Sequence, residues 1–443
     1  MSICGNGYPN IPPNSKDEAY MKNIFENSKL QQVMHTPLIW CVILLGFSAP
    51  ISVALDNVLM AVIFMGVIFS FSSIYRTAIT HPVARAAMLL FLALFIAMFY
   101  GSAPMKEALA ILGKYADLAF VAIYISLLVN DADKRKVRYA FLAAMAITLV
   151  LSWLLGLGVI STMSWMNAGA VPADPGIFQG HDTQNNLMTF AILLALLEWR
   201  DTTDRVKQIA WAIFALLGTL NILFLVQGRT GYLTLFLILG WFGWSTVARE
   251  MKKRGRSVSW KHASLILLAM LSIAVIAYVS SARLHDRVVK AVNEFQDWAP
   301  NKGKATPDNS STGARLDFYT NTLQIVQHNF LIGVGTGGFP AAYEQQAQGK
   351  NVVLTRNPHD EYLMITAQTG VIGLALLLYL FYTLWRCAPL LPTPLEEDAA
   401  KGLVLAYLVN CLLNSALMDH TDGLFFALMS AILYANLKIG KNA

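Results

Sequence analysis

"NPHDEYLMITAQTGVIGLALLLYLFYTLW", residues 357–385, decides the fold class. From Tyr362 to Trp385 it holds no charged side chain. At 1.5 Å per residue that run spans roughly 36 Å as a helix, enough to cross a hydrocarbon core about 30 Å thick. It therefore reads as a membrane helix. Its N-terminal lip carries one histidine and two carboxylates, His359, Asp360 and Glu361, where charge meets the bilayer boundary. What that lip faces depends on the rest of the chain.

Composition extends the reading to the whole chain. The 443 residues are 56% hydrophobic and 14% charged, with mean hydropathy +0.50. Soluble domains carry about 25% charge, so the class is all-α, a polytopic membrane helix bundle. Twelve apolar runs are expected as spans: 37–54, 57–75, 86–103, 108–130, 138–160, 184–199, 208–226, 230–248, 262–280, 362–385, 402–417 and 423–438. Segments 6, 11 and 12 of that series are short. The first 36 residues are polar and lack an apolar signal core, so the first helix is expected to act as its own insertion signal.

Lysine and arginine set the orientation. With the N-terminus inside, most basic residues fall in cytoplasmic segments, among them Lys134, Arg135, Lys136, Arg200, Arg249, Lys252, Lys253 and Arg386. The expected organisation is a cytoplasmic segment 1–36, spans 1–9 over 37–280, an outside loop 281–361, spans 10–12 over 362–438, and a cytoplasmic tail 439–443. The net charge of +6 then reflects loops that orient the chain, and no nucleic-acid partner is expected. The four cysteines suggest neither a disulfide framework nor a metal cluster.

The outside loop opens with "ARLHDRVVKAVNEFQDW", where Leu284, Val288, Val292 and Phe295 recur at helical spacing. That pattern fits an amphipathic helix on the membrane surface, or a loop helix packed on the bundle. A polar stretch, 300–313, leads to a second helix, "ARLDFYTNTLQIVQHN", which Ser311 or Thr312 could cap. "GVGTGGFP" then follows. It lacks the lysine and preceding strand of a phosphate loop and reads as a tight turn.

Four places put charge where charge is expensive, all on the outer side. Arg229, in "VQGRTGY", lies between two apolar runs with Gly228 and Gly231 beside it. It either snorkels or meets an anion. Arg315, near the start of the second loop helix, either binds an anion or pairs with Asp317 or Glu294. His359 has a pKa range suited to a general base; the bland alternative for the His359–Asp360 pair is a helix cap at the interface. Gly370 and Gly373, spaced i,i+3, are expected on one helix face open to close approach. Asp419, His420 and Asp422 occupy a short outer loop. Lys114 and Asp117 read as an intramembrane pair, with Lys114 able to reach a phosphate instead, and His181 and Asp182 lie in another outer loop. No HExxH, paired acidic motif or i,i+4 histidine pair occurs, so no metal and no cofactor is expected. Two arginines and a histidine facing outward suit a lipid-linked diphosphate, with guanidinium forks matching phosphate oxygens.

At these residues the chain resembles the bacterial O-antigen ligase and polymerase superfamily. The ligases carry a histidine, a small polar residue, nine residues, glycine, two residues and a glycine or similar. That order reads here as His359, Asp360, Glu361 to Thr369, Gly370 and Gly373. The arginines of "GRTGY" and "TGARLDFY" match Arg229 and Arg315. Asp360 departs from the usual Asn, Ser or Gln, which weakens the choice of ligase over polymerase. The resemblance implies transfer of O-antigen polysaccharide from undecaprenyl diphosphate to a lipid A–core sugar. The site would be on the periplasmic face of the bacterial inner membrane, with inversion at the anomeric carbon and no metal. His359 would be the general base, with Arg229 and Arg315 holding the diphosphate. Asp360, Lys114, Asp419, His420, Gly370 and Gly373 would support them, and membrane lipids would surround the bundle. The rivals are a polysaccharide polymerase, a protein O-oligosaccharyltransferase and a transporter of a small anion. A transporter predicts charges at the midplane and internally similar halves, and the sequence shows neither.

Overall fold

The computed structural model describes residues 29–301 and 310–437. The expected cytoplasmic segment up to residue 28, the centre of the polar stretch at 302–309 and the tail at 439–443 lie outside the described residues. Sixteen α-helices and one 3-10 turn, Ala388–Leu390, form the described part, with no named strand. In chain order the helices are α1 (Lys29–Ser48), α2 (Val53–Thr80), α3 (Pro82–Ala97), α4 (Met105–Lys114), α5 (Asp117–Leu127), α6 (Asp131–Gly156), α7 (His181–Asp201) and α8 (Arg205–Phe224). They continue with α9 (Arg229–Lys253), α10 (Trp260–Ser280), α11 (Ala282–Asn301), α12 (Ser311–His328), α13 (Phe339–Ala347), α14 (Glu361–Cys387), α15 (Pro394–Leu413) and α16 (His420–Tyr434).

Each expected span overlaps one of these helices, or the α4–α5 pair. By length and apolarity alone, five described helical segments can cross a membrane, and seven if each of two bent pairs is one span. The difference lies in helices that are short, such as α3 and α16 with 16 and 15 residues, or more polar, such as α7. Helices α7 and α16 are buried almost from end to end, yet the first two turns of α7 carry Gln184, Asn185 and Asn186, and the first turn of α16 carries Thr421 and Asp422. A helix buried on all sides belongs to the centre of a bundle. Accordingly α7 packs against α8, α9 and α15. By contrast, α10 buries only Ala277 and turns Leu265, Leu268, Val275 and Val279 outward, as a lipid-facing helix does. Among the described cysteines Cys41 and Cys411 are free, while Cys387 is disulfide-bonded, which the sequence did not suggest.

Helices α9 and α14 give the bundle two ends. The 25 residues of α9 span about 37 Å at 1.5 Å per residue, and α14 has 27 residues. Arg229 begins one and Asp360 caps the other; Arg249 and Arg386 lie at their far ends. The far end is stapled by Asp398, whose buried carboxylate accepts from Arg200 Nη1 at 2.8 Å and Arg249 Nε at 2.5 Å. Two guanidinium groups around one buried carboxylate satisfy a charge that would be costly alone.

At Gly370 the structure corrects the expectation of a continuous glycine face. Helix α14 is broken there, with φ 66° and ψ −163°. The break frees backbone groups that the glycine-rich segment satisfies. Val334 N–H donates to Ala367 O at 2.8 Å, Gly335 N–H to Gln368 O at 2.9 Å, and Val371 N–H to Phe330 O at 2.9 Å. The same segment caps the end of α3: Thr336 donates from its backbone N–H to Ala97 O and from its hydroxyl to Leu94 O. Irregular backbone among membrane helices survives only where such partners exist. The stretch read as a tight turn is therefore a wedge that joins α3 to the broken α14. Gly373 sits one turn on, where a methyl group would overlap Thr369 Oγ1.

Candidate active site

Arg229 is the first residue of α9. Its helix start is pressed onto α7 because Gly228 and Gly231 have no side chains. A methyl at Gly228 would sit 2.7 Å from Asn185 Nδ2 and 3.3 Å from Asp182 Oδ1. The guanidinium then reaches across to the outer helices. Nη1 donates to Thr312 Oγ1 at 2.6 Å, and Nη2 to Glu294 Oε2 at 3.2 Å. Glu294, on α11, thus pairs with Arg229 and not with Arg315 as the sequence allowed. Ser310, one residue ahead of the expected caps, caps α12 by accepting from Gly313 N–H.

Arg315 lies one turn into α12, half-buried, and makes no hydrogen bond or ion pair among the described residues. Its charge is felt by His359 and Tyr319. His359 is held between α12 and α14. Its ring stacks on Phe318 with centroids 6.1 Å apart, and its backbone carbonyl accepts from Tyr319 Oη at 3.3 Å. Among the described residues it is the non-glycine residue with positive φ, 56°. That conformation costs about 1–2 kcal/mol and is held by Asn357, whose Oδ1 accepts from His359 N–H at 2.8 Å and Ser415 Oγ at 2.6 Å. Strained backbone of this kind clusters at functional sites. Neither ring nitrogen has a hydrogen bond among the described residues. Burial first, then the Arg315 charge, lowers the His359 pKa; the Asp182 carboxylate opposes them. The imidazole is therefore neutral at pH 7, with a lone pair available.

Asp360 is the N-cap of α14 and accepts from Leu363 N–H at 2.8 Å. Burial raises its pKa to about 6 against the pull of the Leu363 and Tyr362 backbone N–H groups. Glu361, read as part of the outward lip, is fully buried. It accepts from Tyr115 Oη at 2.7 Å and from the backbone N–H groups of Leu417 and Met418 at 2.8 and 3.3 Å. Glu361 thereby ties the start of α14 to α4–α5 and to the loop before α16. Its burial could not be read from its place in the sequence.

The remaining expected residues divide. His181 lies 3.0 Å from Asp174 and 3.6 Å from Asp182, close to Arg229 through Gly228. Asp422 is buried and accepts from Thr183 Oγ1 at 2.8 Å and Asn186 Nδ2 at 2.5 Å. Asp419 caps α16 by accepting from Thr421 and Asp422 N–H, and His420 is half-buried beside it. Among the described residues no hydrogen bond, ion pair or ring contact joins either to the Arg229–His359 group. Lys114 and Asp117 do not form the expected pair. The chain bends by 41° between α4 and α5, leaving Lys114 exposed and Asp117 buried, its Oδ1 without a partner among the described residues. No group of three or more His, Cys, Asp or Glu side chains that could hold a metal exists among the described residues.

An apolar groove of about 490 Å³ opens between α9, α10 and α11. Tyr232, Phe236, Leu271, Val275 and Val288 line it together with Arg229 and Arg287. The apolar stripe of α11 accordingly faces this groove and the exterior: Leu284 is buried, whereas Val288, Val292 and Phe295 are exposed.

The fold is that of a helical, multi-pass membrane protein in which α12 carries Arg315, with Thr312 bonded to Arg229 and Phe318 against His359. Residues 212–378 match the family described as O-antigen ligase, and the match supports the O-antigen ligase superfamily for this chain. The matched region is less than half of the chain. It contains Arg229, Arg315, His359, Gly370 and Gly373, and leaves Lys114, Asp419 and His420 outside. No curated protein matches the chain.

Proposed function

We propose that the protein transfers a polysaccharide from undecaprenyl diphosphate to a sugar hydroxyl of the lipid A–core, at the periplasmic face of the inner membrane. What supports this reading is that Arg229 bonds Thr312, three residues before Arg315 on α12, that the Arg315 charge reaches His359, and that an apolar groove runs up to Arg229. A lipid diphosphate needs both: cations for the oxygens and an apolar wall for the chain.

In this reading the guanidinium groups of Arg229 and Arg315 hold the diphosphate. A His359 ring nitrogen takes the proton of the acceptor hydroxyl as its oxygen attacks the anomeric carbon. The new C–O bond forms as the anomeric carbon–phosphate oxygen bond breaks on the opposite face, and the electron pair leaves with the diphosphate. The products are an inverted glycoside, undecaprenyl diphosphate and an imidazolium that releases its proton to water. The lowered pKa of His359 suits the base role, and the two guanidinium charges offset those developing on the leaving group.

Asp360 keeps a second acceptor in view, since the ligases usually carry Asn, Ser or Gln there. With a lipid-linked repeat unit as acceptor, the same chemistry makes a polymerase. Gene deletion followed by lipopolysaccharide gels separates the two. A ligase leaves long chains on the carrier and none on the core; a polymerase leaves single repeats on the core. Lipopolysaccharide unchanged in both respects would refute the proposal.

A further inference from the structure

The Arg229 guanidinium is not free. Its partner is Glu294, and the way Glu294 is bound resembles the way an anionic ligand is bound. Glu294 Oε2 takes the backbone N–H of Thr312 at 3.0 Å, the Thr312 hydroxyl at 2.5 Å and Arg229 Nη2 at 3.2 Å. Thr312 is the second residue of α12, an 18-residue helix. Its N–H is one of the donors that a helix start leaves unpaired, where the helix dipole also favours an anion. A guanidinium, a hydroxyl and a helix N–H converging on one oxygen is the donor set of a phosphate site.

Two further observations indicate that Glu294 fills this place imperfectly. Its side chain is 8% exposed, yet among the described residues Oε1 has no hydrogen bond, only Lys290 Nζ at 3.9 Å. A buried carboxylate oxygen left without a donor is costly. The positive charge is also not used up. Among the described residues Arg229 Nε is buried without a partner and Arg315 makes no ion pair. One carboxylate leaves cations and donors over that a diphosphate, with more oxygens and more charge, could engage.

We propose that the Glu294 carboxylate occupies a phosphate subsite of the donor, built from Arg229, the Thr312 hydroxyl and the Thr312 N–H, and that the donor diphosphate displaces it. This rests on the donor reading above. Glu294 is carried by α11, which also lines the apolar groove through Val288 and Val292. Entry of the lipid and release of Glu294 therefore act on the same helix. Glu294 is an internal competitor that keeps the empty site neutralised and lowers the affinity for donor.

The test uses the full-length protein in vesicles, with Glu294→Gln, which keeps shape and removes charge. If the closed form holds about nine molecules in ten, its removal raises apparent affinity about tenfold. The donor KM is expected to fall by that factor with kcat within twofold. Inorganic pyrophosphate, titrated calorimetrically, should bind correspondingly tighter to E294Q than to the wild type. If Glu294 only orients Arg229, the variant shows lower kcat or higher KM and weaker pyrophosphate binding. Either of those results, or an unchanged KM, overturns the proposal. Arg229→Ala separates the parent reading. A wild type that transfers while R229A does not, with E294Q unaltered, removes this inference alone. A wild type without transfer from any polyprenyl diphosphate removes both.

Discussion

Replacing Gly370 by alanine tests how α14 presents its lip. Gly370 has φ 66° and ψ −163°, a region that L residues enter at a cost of about 1–3 kcal/mol. The added Cβ would lie 2.2 Å from both C and O of Leu331. These are backbone atoms, so no rotamer change relieves the clash. Segment 330–335 must retreat, and three hydrogen bonds between it and α14 are at risk, each worth about 1 kcal/mol. The sum is about 5 kcal/mol, which for a chain of 443 residues is a fall of about 5 °C in melting temperature. Gly349→Ala is the control. It shares a positive φ, 71°, but a Cβ there meets nothing within 4 Å, so only the conformational cost of about 1–2 kcal/mol remains. The assay is thermal unfolding in detergent followed by near-UV circular dichroism. If Gly370→Ala melts no lower than Gly349→Ala, the wedge between α3 and α14 is not load-sharing and the reasoning fails.

Other consequences follow from the site. Activity should fall as pH drops through the His359 pKa, below its ordinary value of about 6.5. Because the Asp182 carboxylate holds that pKa up, Asp182→Asn should move the acid limb of kcat/KM to lower pH; a limb moving upward contradicts the assignment. The same lowered pKa means His359 favours the folded state above that ordinary value and loses this contribution as pH falls below it. Asp360 has the opposite sign. With its folded pKa raised to about 6, it favours folding at low pH and loses that contribution as pH rises through about 6. Asp360→Asn, an equally good helix cap, should therefore match or exceed the wild-type melting temperature at pH 8, while Asp360→Ala loses about 1 kcal/mol. Chelation with EDTA should leave the transfer rate within twofold; a loss restored by a divalent ion would overturn the metal-free chemistry.

The parts of this molecule legible in its sequence are those governed by local composition. Apolar runs located the helices, and Arg229, Arg315 and His359 stood out because ionisable side chains are costly at a membrane boundary. A helix cap was the bland alternative for Asp360, and Asp360 does cap α14. What escaped the sequence depends on long-range contact. The Gly370 break needs a partner some forty residues earlier, in the segment Phe330–Gly335, and an i,i+3 glycine pair gives no sign of it. Glu361 looks like a surface carboxylate until Tyr115 and the Leu417 N–H close over it. Lys114 and Asp117 have helical spacing, but the helix between them bends. Glu294 had two arginines within reach, and sequence cannot choose between them; the pressing of Gly228 and Gly231 onto α7 sets where Arg229 points.

The central claim is that Arg229, Arg315 and His359 act on one lipid-linked diphosphate. Its most direct measurement is transfer by the purified protein in vesicles, from a polyprenyl-diphosphate saccharide to lipid A–core. Arg229→Ala, Arg315→Ala and His359→Ala are assayed beside the wild type, with melting temperatures taken on the same samples. The account predicts that each variant melts within a few degrees of the wild type and transfers at least about 100-fold more slowly. Any one of the three that is folded and transfers within twofold of the wild type contradicts it.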